Sequence, residues 1–133
     1  MDTIYQIESR SFSDPYPRGL LKAFFFLPGA FVVAVSGGEV IGYAIGIIRE
    51  DELGHIVSIA VAEKERGRGV GKALLGDLIE RLSRAGVKRI VLEVRKSNYE
   101  AKRLYQKFGF EKKKEIEGYY KDGETAEVME LTL

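Results

Sequence analysis

Cysteine and tryptophan are absent from this chain of 133 residues, and histidine occurs only once, at position 55. Without cysteine there are no disulfides, no thiolate metal ligands and no cysteine nucleophile. His55 and a neighbouring carboxylate would provide two ligands, too few for a dedicated zinc site. We therefore expect a cytoplasmic protein that has no metal centre.

Long apolar runs and an excess of one charge are also missing. No segment approaches the roughly 20 consecutive apolar residues that span a bilayer, and Met1 is followed by Asp2 rather than by a basic and apolar leader. The net charge of +1 gives no general attraction to nucleic acid or to anionic membranes. We interpret the lysines at 112–114 as a solvated strand edge, and we expect neither a nucleic-acid nor a membrane partner.

The chain does contain a regular series of helix and strand patterns, which indicate a single domain over residues 1–133. Helices are predicted at 2–12, 20–26, 69–85 and 97–107, and strands at 30–35, 40–48, 55–62, 89–94, 110–119 and 125–133. Asp2 or Thr3 is the expected N-cap of the first helix, and Ser97 that of the last. The helix between two buried strands implies parallel pairing and an α/β fold.

The most specific local feature is the segment 66–72, RGRGVGK, which leads into the strongest predicted helix. Glycines at a helix start expose backbone N–H groups. These groups and the helix dipole both favour a bound anion such as phosphate. Arg66, Arg68 and Lys72 add positive charge there. A P-loop is excluded because Ala73 follows the lysine, and the glycine spacing does not match a dinucleotide fingerprint. From these residues alone, the segment is either a phosphate-binding loop or only a tight turn.

Three separated motifs resemble the GCN5-related N-acetyltransferases (GNAT). They are RxxGxG at residues 66–71, LEVRxSNxxAxxLYxxxGF at 92–110 and GYYxDGExA at 118–126. They occur in the family's order, and the resemblance covers roughly residues 2–133. The second motif is similar to the ribosomal-protein and archaeal N-terminal acetyltransferase (RimI-like) branch in particular. The family usually begins with a strand, whereas this chain starts directly in the first helix.

The resemblance implies a GNAT fold, with a mixed central sheet, a parallel strand–helix–strand cofactor unit and helices on both faces. It also implies direct transfer of acetyl from acetyl-CoA to an amine in a ternary complex, most closely to protein or peptide N-termini. An α-amino group, with a pKa of about 7.7–8.0, is easier to deprotonate than lysine at about 10.4. Acetylation of lysine side chains or of a small amine, and a non-catalytic acetyl-CoA-binding subunit, are the alternatives. A missing first strand would expose a sheet edge, which can pair with another chain, so a weak homodimer is among the expected partners.

The same resemblance assigns the acetyl-CoA contacts to three places. The strand before the loop would contribute Ile59, Ala60 and Val61, where a local bulge frees backbone N–H groups. The pyrophosphate would lie on Arg66, Gly67, Arg68, Gly69, Val70, Gly71 and Lys72. Asn98 would contact the pantetheine arm, and Tyr105 would reach the sulfur.

Glu93, Tyr105 and His55 are the candidate catalytic residues. Glu93 lies in an apolar run, where desolvation of its carboxylate suits a general base acting directly or through a water. The alternative is a strand-end glutamate paired with Arg95 or a lysine. Tyr105 is either a core tyrosine or, as the family position implies, the donor that protonates the thiolate. His55 is either structural or shares the role of base with Glu93.

Three tyrosines lie in predicted loops and are the candidate substrate-binding residues: Tyr16, Tyr119 and Tyr120. The family uses these two loops to recognise a peptide. The alternative is ordinary packing of the closing hairpin.

Overall fold

The computed structural model describes every residue from Met1 to Leu133, and its elements follow the predicted order. The helices are α1 (Asp2–Ser11), α2 (Arg18–Phe24), α3 (Val70–Arg84) and α4 (Tyr99–Lys107). The strands are β1 (Gly29–Ser36), β2 (Glu39–Arg49), β3 (Leu53–Val61), β4 (Arg89–Arg95), β5 (Glu111–Ile116) and β6 (Ala126–Thr132). One turn of 3-10 helix, Glu63–Glu65, was not predicted. No helix combines the length and the apolar character needed to cross a membrane.

The six strands form one mixed sheet in the order β1-β2-β3-β4-β6-β5. All neighbours are antiparallel except β3 and β4, which are connected through α3 and run parallel. This confirms the predicted α/β architecture and its parallel unit. The parallel ladder is short, because only residues 53–55 pair with residues 89–91. Beyond His55 the two strands have no ladder between them.

Helices cover both faces of the sheet, as predicted. One apolar cluster contains the inward stripe of α3 together with α4, including Leu74, Leu75, Leu78, Leu82 and Tyr105. The other contains α1 and α2, including Ile4, Ile7 and Leu21. Successive residues of β2 divide between the two clusters, as the two-residue period of a strand requires: Ala44 belongs to the first, and Tyr43 and Ile45 to the second.

A bulge at Val57 interrupts the alternation of β3. Ser58 pairs with Ile45 and Ile56 pairs with Gly46, so Val57 has no partner on β2. As a result, Val57 and Ser58 both lie on the face covered by α1. The predicted position of the bulge, in the last three residues of the strand, was wrong because the extra residue lies earlier.

Two predicted helix caps were also wrong. α1 already includes Asp2 and Thr3, so neither caps it, and no side chain does. α4 is capped by Asn98, whose Oδ1 accepts a hydrogen bond of 3.2 Å from the backbone N–H of Ala101. Ser97, the predicted cap, is one residue too early, and its own backbone N–H donates to the Glu124 carboxylate at 2.8 Å.

The two edges of the sheet differ in character. β5 is exposed along most of its length, and its lysines at 112–114 lie on a solvated strand edge, as predicted. β1 is apolar, with Val33 and Val35 about half exposed on its outer face. Charged residues discourage pairing with another strand, so β5 is protected in a way that β1 is not.

Candidate active site

A cavity of about 420 Å³ lies where β3 and β4 separate. Residues 56–59 of β3 and residues 92–95 of β4 form its walls. Glu8 and Tyr16 line it from the side of α1, while Asn98 and Tyr105 line it from α4. Because α1 and α4 cover opposite faces, the cavity passes through the sheet and is lined by residues from both.

Glu93 lies in the wall of this cavity, with 20% of its side chain exposed. His55 Nε2 donates a hydrogen bond of 2.8 Å to Glu93 Oε1, and the Tyr119 hydroxyl lies 3.5 Å from the same oxygen. The partner of Glu93 is therefore His55, not Arg95 or a lysine as the alternative interpretation required. His55 does not line the cavity, so of the two side chains only Glu93 lies in its wall.

The second ring nitrogen of His55, Nδ1, is buried and has no hydrogen-bond partner. Buried polar atoms without a partner are uncommon in folded proteins. When Nε2 carries the proton that is donated to Glu93, Nδ1 carries a lone pair that no donor meets. No group of three or more His, Cys, Asp or Glu side chains that could hold a metal ion is present.

Tyr105 is buried on α4, only 7% exposed, with its ring 5.8 Å from that of Phe110. It lines the cavity from the face opposite to Glu93. Burial raises the pKa of Tyr105 to about 12, so its hydroxyl stays protonated near neutral pH. The residue therefore packs in the core, as one of the two interpretations predicted, and it also lines the cavity.

The backbone predicted to hold acetyl-CoA has open hydrogen-bonding groups. Residues Ile59, Ala60 and Val61 pair with β2 on one side and have no ladder toward β4 on the other. Gly69, with a left-handed φ of 80°, precedes the first turn of the 15-residue helix α3. The first N–H groups of a helix lack intrahelical partners and attract anions. Asn98 lines the cavity, although its Oδ1 is engaged in capping α4.

The positive side chains of the 66–72 loop are not all free to meet a ligand. Arg66 donates through Nε to the Val61 carbonyl and through Nη2 to Ser11 Oγ, both at 3.0 Å. Arg68 pairs with Glu65 at 3.3 Å. Lys72 is exposed and forms no ion pair. Arg66 thus holds the loop against β3 and α1, and Lys72 is the loop's unpaired cationic side chain.

The three predicted substrate tyrosines all line the cavity. Tyr16 lies in the loop between α1 and α2, whereas Tyr119 and Tyr120 lie between β5 and β6. The rings of Tyr119 and Tyr120 meet edge to face with centroids 5.0 Å apart. Burial, followed by the charges of Tyr119 and Glu93, raises the pKa of Tyr16. The structure therefore brings the tyrosines of both loops close to the candidate base.

Sequence reasoning missed a charged network that connects these two loops. Arg95, at the end of β4, donates through Nη1 to Asp122 and Glu124 at 2.9 Å and through Nη2 to Ser13 at 2.6 Å. Its guanidinium also lies 4.1 Å from the centre of the Tyr120 ring. Ser13 belongs to the α1–α2 loop and the other three to the β5–β6 loop, so one arginine fastens both.

Two further contacts complete this network. The backbone N–H of Lys121 donates to Asp14 Oδ2 at 2.8 Å, which joins the loops directly. Hydrogen bonds from Ser97 and Arg95 lower the pKa of Glu124 to about 2. Most of these residues lie inside the motifs at 92–110 and 118–126, where only the glutamate, the asparagine and the tyrosines had been assigned roles.

The chain resembles known acetyltransferases over most of its length. Residues 1–110 match the family model described as the acetyltransferase (GNAT) family. An uncharacterized N-acetyltransferase of Methanocaldococcus jannaschii is 40% identical over 131 residues, covering 97% of this chain and 83% of that protein. An N-alpha-acetyltransferase of Sulfurisphaera tokodaii is 35% identical over 151 residues, covering 100% and 87%.

Solved structures give the same result. The ribosomal-protein-S18-alanine N-acetyltransferase from Escherichia coli superposes with a TM-score of 0.90 at 30% sequence identity, covering 98% of this chain and 86% of that one. These matches confirm the resemblance that the three sequence motifs predicted, including its RimI-like character.

Proposed function

Because the chain belongs to the GNAT family of acetyltransferases, we propose that it acetylates the N-terminal α-amino group of proteins or peptides with acetyl-CoA as donor. The observation that carries this proposal is the cavity through the sheet, with Glu93 on one face and Tyr105 on the other. Donor and acceptor can enter from opposite faces and react directly in a ternary complex. Similarity to an N-alpha-acetyltransferase and to a ribosomal-protein alanine N-acetyltransferase supports the N-terminal acceptor.

The donor is proposed to bind along β3 and the loop that follows. Acetyl-CoA supplies the acetyl group as a thioester, whose C–S bond breaks as the new amide C–N bond forms. The open edge from Ile59 to Val61 offers backbone N–H groups to the thioester and the pantetheine arm. The loop 66–72 and the N-terminus of α3 hold the pyrophosphate, with Lys72 as the free cation. Asn98 borders the pantetheine arm.

Glu93 is the proposed general base. It accepts the proton that the α-amino group loses as the nitrogen attacks the thioester carbonyl, directly or through one water. His55 is proposed as a positioning residue, because its 2.8 Å hydrogen bond orients the Glu93 carboxylate.

Tyr105 is the proposed acid on the opposite face. Its hydroxyl donates a proton to the sulfur as the C–S bond breaks, which yields the free thiol of coenzyme A. The amine has then lost one proton to Glu93 and the sulfur has gained one from Tyr105. Exchange with solvent returns both residues to their starting states.

Tyr16, Tyr119 and Tyr120 are proposed to enclose the first residues of the peptide. Lysine acetylation would require deprotonation of an amine whose pKa is about 10.4 rather than 7.7–8.0, and the site offers one modest base. We propose a cytoplasmic setting without a nucleic-acid or membrane partner, consistent with the net charge of +1. The apolar edge of β1 is the surface through which a weak homodimer would form.

A peptide panel tests the proposal. The protein is incubated with acetyl-CoA and two matched sets of peptides, and products are identified by mass spectrometry. One set has free N-termini with varied first residues, and the other has blocked N-termini and an internal lysine. We expect acetylation of the free N-termini only. Acetylation confined to the blocked set would replace the proposal with lysine acetylation, and no product in either set would contradict it.

A further inference from the structure

Glu8 is a charged residue in the interior of the protein, only 1% exposed, and the proposed chemistry does not use it. It belongs to α1, and its neighbours in the apolar cluster include Ile4, Ile7 and Leu21. No cation pairs with it. A buried carboxylate in such surroundings is costly unless hydrogen bonds satisfy its oxygens.

Three donors satisfy the Glu8 carboxylate, and they come from three different parts of the chain. Oε1 accepts hydrogen bonds from the hydroxyls of Tyr43, on β2, and Ser58, on β3, the latter at 2.6 Å. Oε2 accepts a 2.9 Å hydrogen bond from the backbone N–H of Tyr16. The two oxygens therefore face different structures, a pair of strands on one side and a loop on the other.

The hydrogen bond between Glu8 and the loop lies next to the proposed peptide site. Tyr16 lines the cavity near Glu93 and Tyr119, and its ring packs edge to face against Phe24 with centroids 5.5 Å apart. Its backbone N–H is held by Glu8 alone, because no backbone carbonyl accepts from it. Loss of this acceptor would leave the Tyr16 N–H without a partner and loosen the loop at that residue, although Ser13 and Asp14 stay held by Arg95 and Lys121.

The hydrogen bond between Glu8 and Ser58 lies next to the proposed acetyl-CoA site on β3. Ser58 directly follows the bulge at Val57, and both residues line the cavity. This is where β3 has left its ladder with β4 and presents an open edge. One carboxylate thus connects the peptide-side loop to the wall against which the acetyl group would lie.

We propose that Glu8 is a positioning residue that fixes the loop carrying Tyr16 against β3, and so sets the place of the peptide relative to the acetyl group. The inference rests on the proposed N-terminal acetyltransferase function. A purely structural glutamate would affect folding stability alone, whereas Glu8 should control the KM for the peptide while leaving the KM for acetyl-CoA unchanged.

Four variants separate these roles in steady-state assays with a free N-terminal peptide. Glu8→Leu keeps an apolar side chain of similar size but removes every acceptor, and Glu8→Asp keeps the charge but is too short to reach both sides. Glu8→Gln retains one oxygen for the Tyr16 N–H, because the Ser58 and Tyr43 hydroxyls can accept from its amide. Tyr43→Phe removes a donor to Glu8 and leaves the Tyr16 contact intact.

We expect Glu8→Leu to raise the peptide KM by about tenfold, and Glu8→Asp by a smaller factor, with acetyl-CoA KM within twofold of wild type. Glu8→Gln should largely restore the peptide KM, and Tyr43→Phe should leave it unchanged despite a lower Tm. Hydrogen exchange over residues 12–17 should accelerate in Glu8→Leu and Glu8→Asp but not in Tyr43→Phe. If Glu8→Leu does not fold, Glu8→Asp provides the same comparison.

Two results would overturn the inference. In one, the Glu8 variants lower Tm without changing the peptide KM or the exchange of residues 12–17. In the other, Tyr43→Phe raises the peptide KM as much as Glu8→Asp does. A wild-type protein that acetylates no peptide N-terminus would instead contradict the proposed function, so the two failures are distinguishable.

Discussion

The donor end and the peptide end of the proposed site are built from different parts of the polypeptide. At the proposed donor end, residues 59–72, the candidate binding groups are backbone N–H groups at a strand edge and a helix start, and two of three cationic side chains are engaged elsewhere. At the peptide end, formed by the α1–α2 and β5–β6 loops, charged side chains fasten the chain. Donor binding should therefore depend on backbone conformation, and peptide binding on individual side chains.

The largest effect on catalysis is expected from Glu93, which lies where the donor end and the peptide end meet. Glu93→Gln removes the proposed base while keeping the shape of the side chain and a hydrogen bond from His55. We expect kcat to fall by about 10²–10⁴, the range that general acid–base catalysis typically contributes. Both KM values should change little, and calorimetry should show unchanged acetyl-CoA affinity. A kcat within threefold of wild type would remove Glu93 from the mechanism.

Tyr105 tests the other face of the junction. Tyr105→Phe keeps the ring packed near Phe110 and removes only the hydroxyl, so the fold should be retained. We expect kcat to fall on the order of 10- to 100-fold without a change in peptide KM. Because the pKa of Tyr105 is raised to about 12, the wild-type enzyme should show no loss of activity from its ionisation below about pH 11. A fall in the kcat of the wild-type enzyme as the pH rises through about 10 would contradict the raised pKa of Tyr105.

At the peptide end, Arg95 is the side chain whose replacement should matter most. Arg95→Lys keeps the charge but cannot form the forked contacts to Ser13, Asp122 and Glu124. We expect the peptide KM to rise by about tenfold, with the acetyl-CoA KM unchanged. Arg89→Lys is the matched control, since Arg89 lies on the same strand and pairs with Glu130 away from the cavity. Equal rises in the peptide KM for Arg95→Lys and Arg89→Lys would show that peptide binding does not depend on the contacts of Arg95 in particular.

At the donor end, the backbone conformation of Gly69 provides the complementary test. Alanine at a left-handed φ costs about 1–2 kcal/mol, and an added Cβ at Gly69 meets no atom within 4 Å. We expect Gly69→Ala to raise the acetyl-CoA KM by about fivefold and to leave the peptide KM unchanged. Gly86→Ala is the control, because Gly86 has a φ of 95° and equally open space but lies beyond the far end of α3. If both variants shift the donor KM equally, strain alone explains the effect.

The smallest expected effect is an acid sensitivity of the peptide end. Hydrogen bonds from Ser97 and Arg95 lower the pKa of Glu124 from its ordinary 4.5 to about 2. A carboxyl whose folded pKa is lowered stabilises the fold above its unfolded pKa, and that contribution is lost as pH falls toward the folded value. Denaturant unfolding between pH 5 and about 2 should therefore show a steeper decline for wild type than for Glu124→Gln. Parallel declines would show that Glu124 is not linked to folding.

Local sequence patterns were enough to predict the helices and strands, and to identify the candidate site residues that lie inside short motifs. The apolar stripe of α3 and the turn residues predicted most boundaries to within a few positions, and the motifs contain Glu93, Tyr105, Tyr119 and Tyr120, which all line one cavity. The separation of β3 from β4 was not predicted, because the length of a parallel ladder is decided by tertiary packing. The bulge was expected in the wrong residues for the same reason.

Glu8 and Arg95 show that a sequence motif does not reveal which distant residues a side chain will contact. Glu8 follows Ile4 by four residues and so lies on the same buried face of α1, a spacing that could have marked it as an interior charge. Its partners, Tyr43 and Ser58, are 35 and 50 residues away, and no local rule identifies them. Arg95 contacts a serine 82 residues away, which only the folded loops reveal.

The short ladder between β3 and β4 also divides the sheet mechanically. Three residue pairs join the half formed by β1–β3 to the half formed by β4–β6, whereas seven pairs join β4 to β6. Such a weak connection is the natural place for the two halves to fluctuate as separate cooperative units. The donor, in its proposed position between the strands, would take the place of the missing ladder, so its binding would join the two halves and raise the free energy needed to separate them.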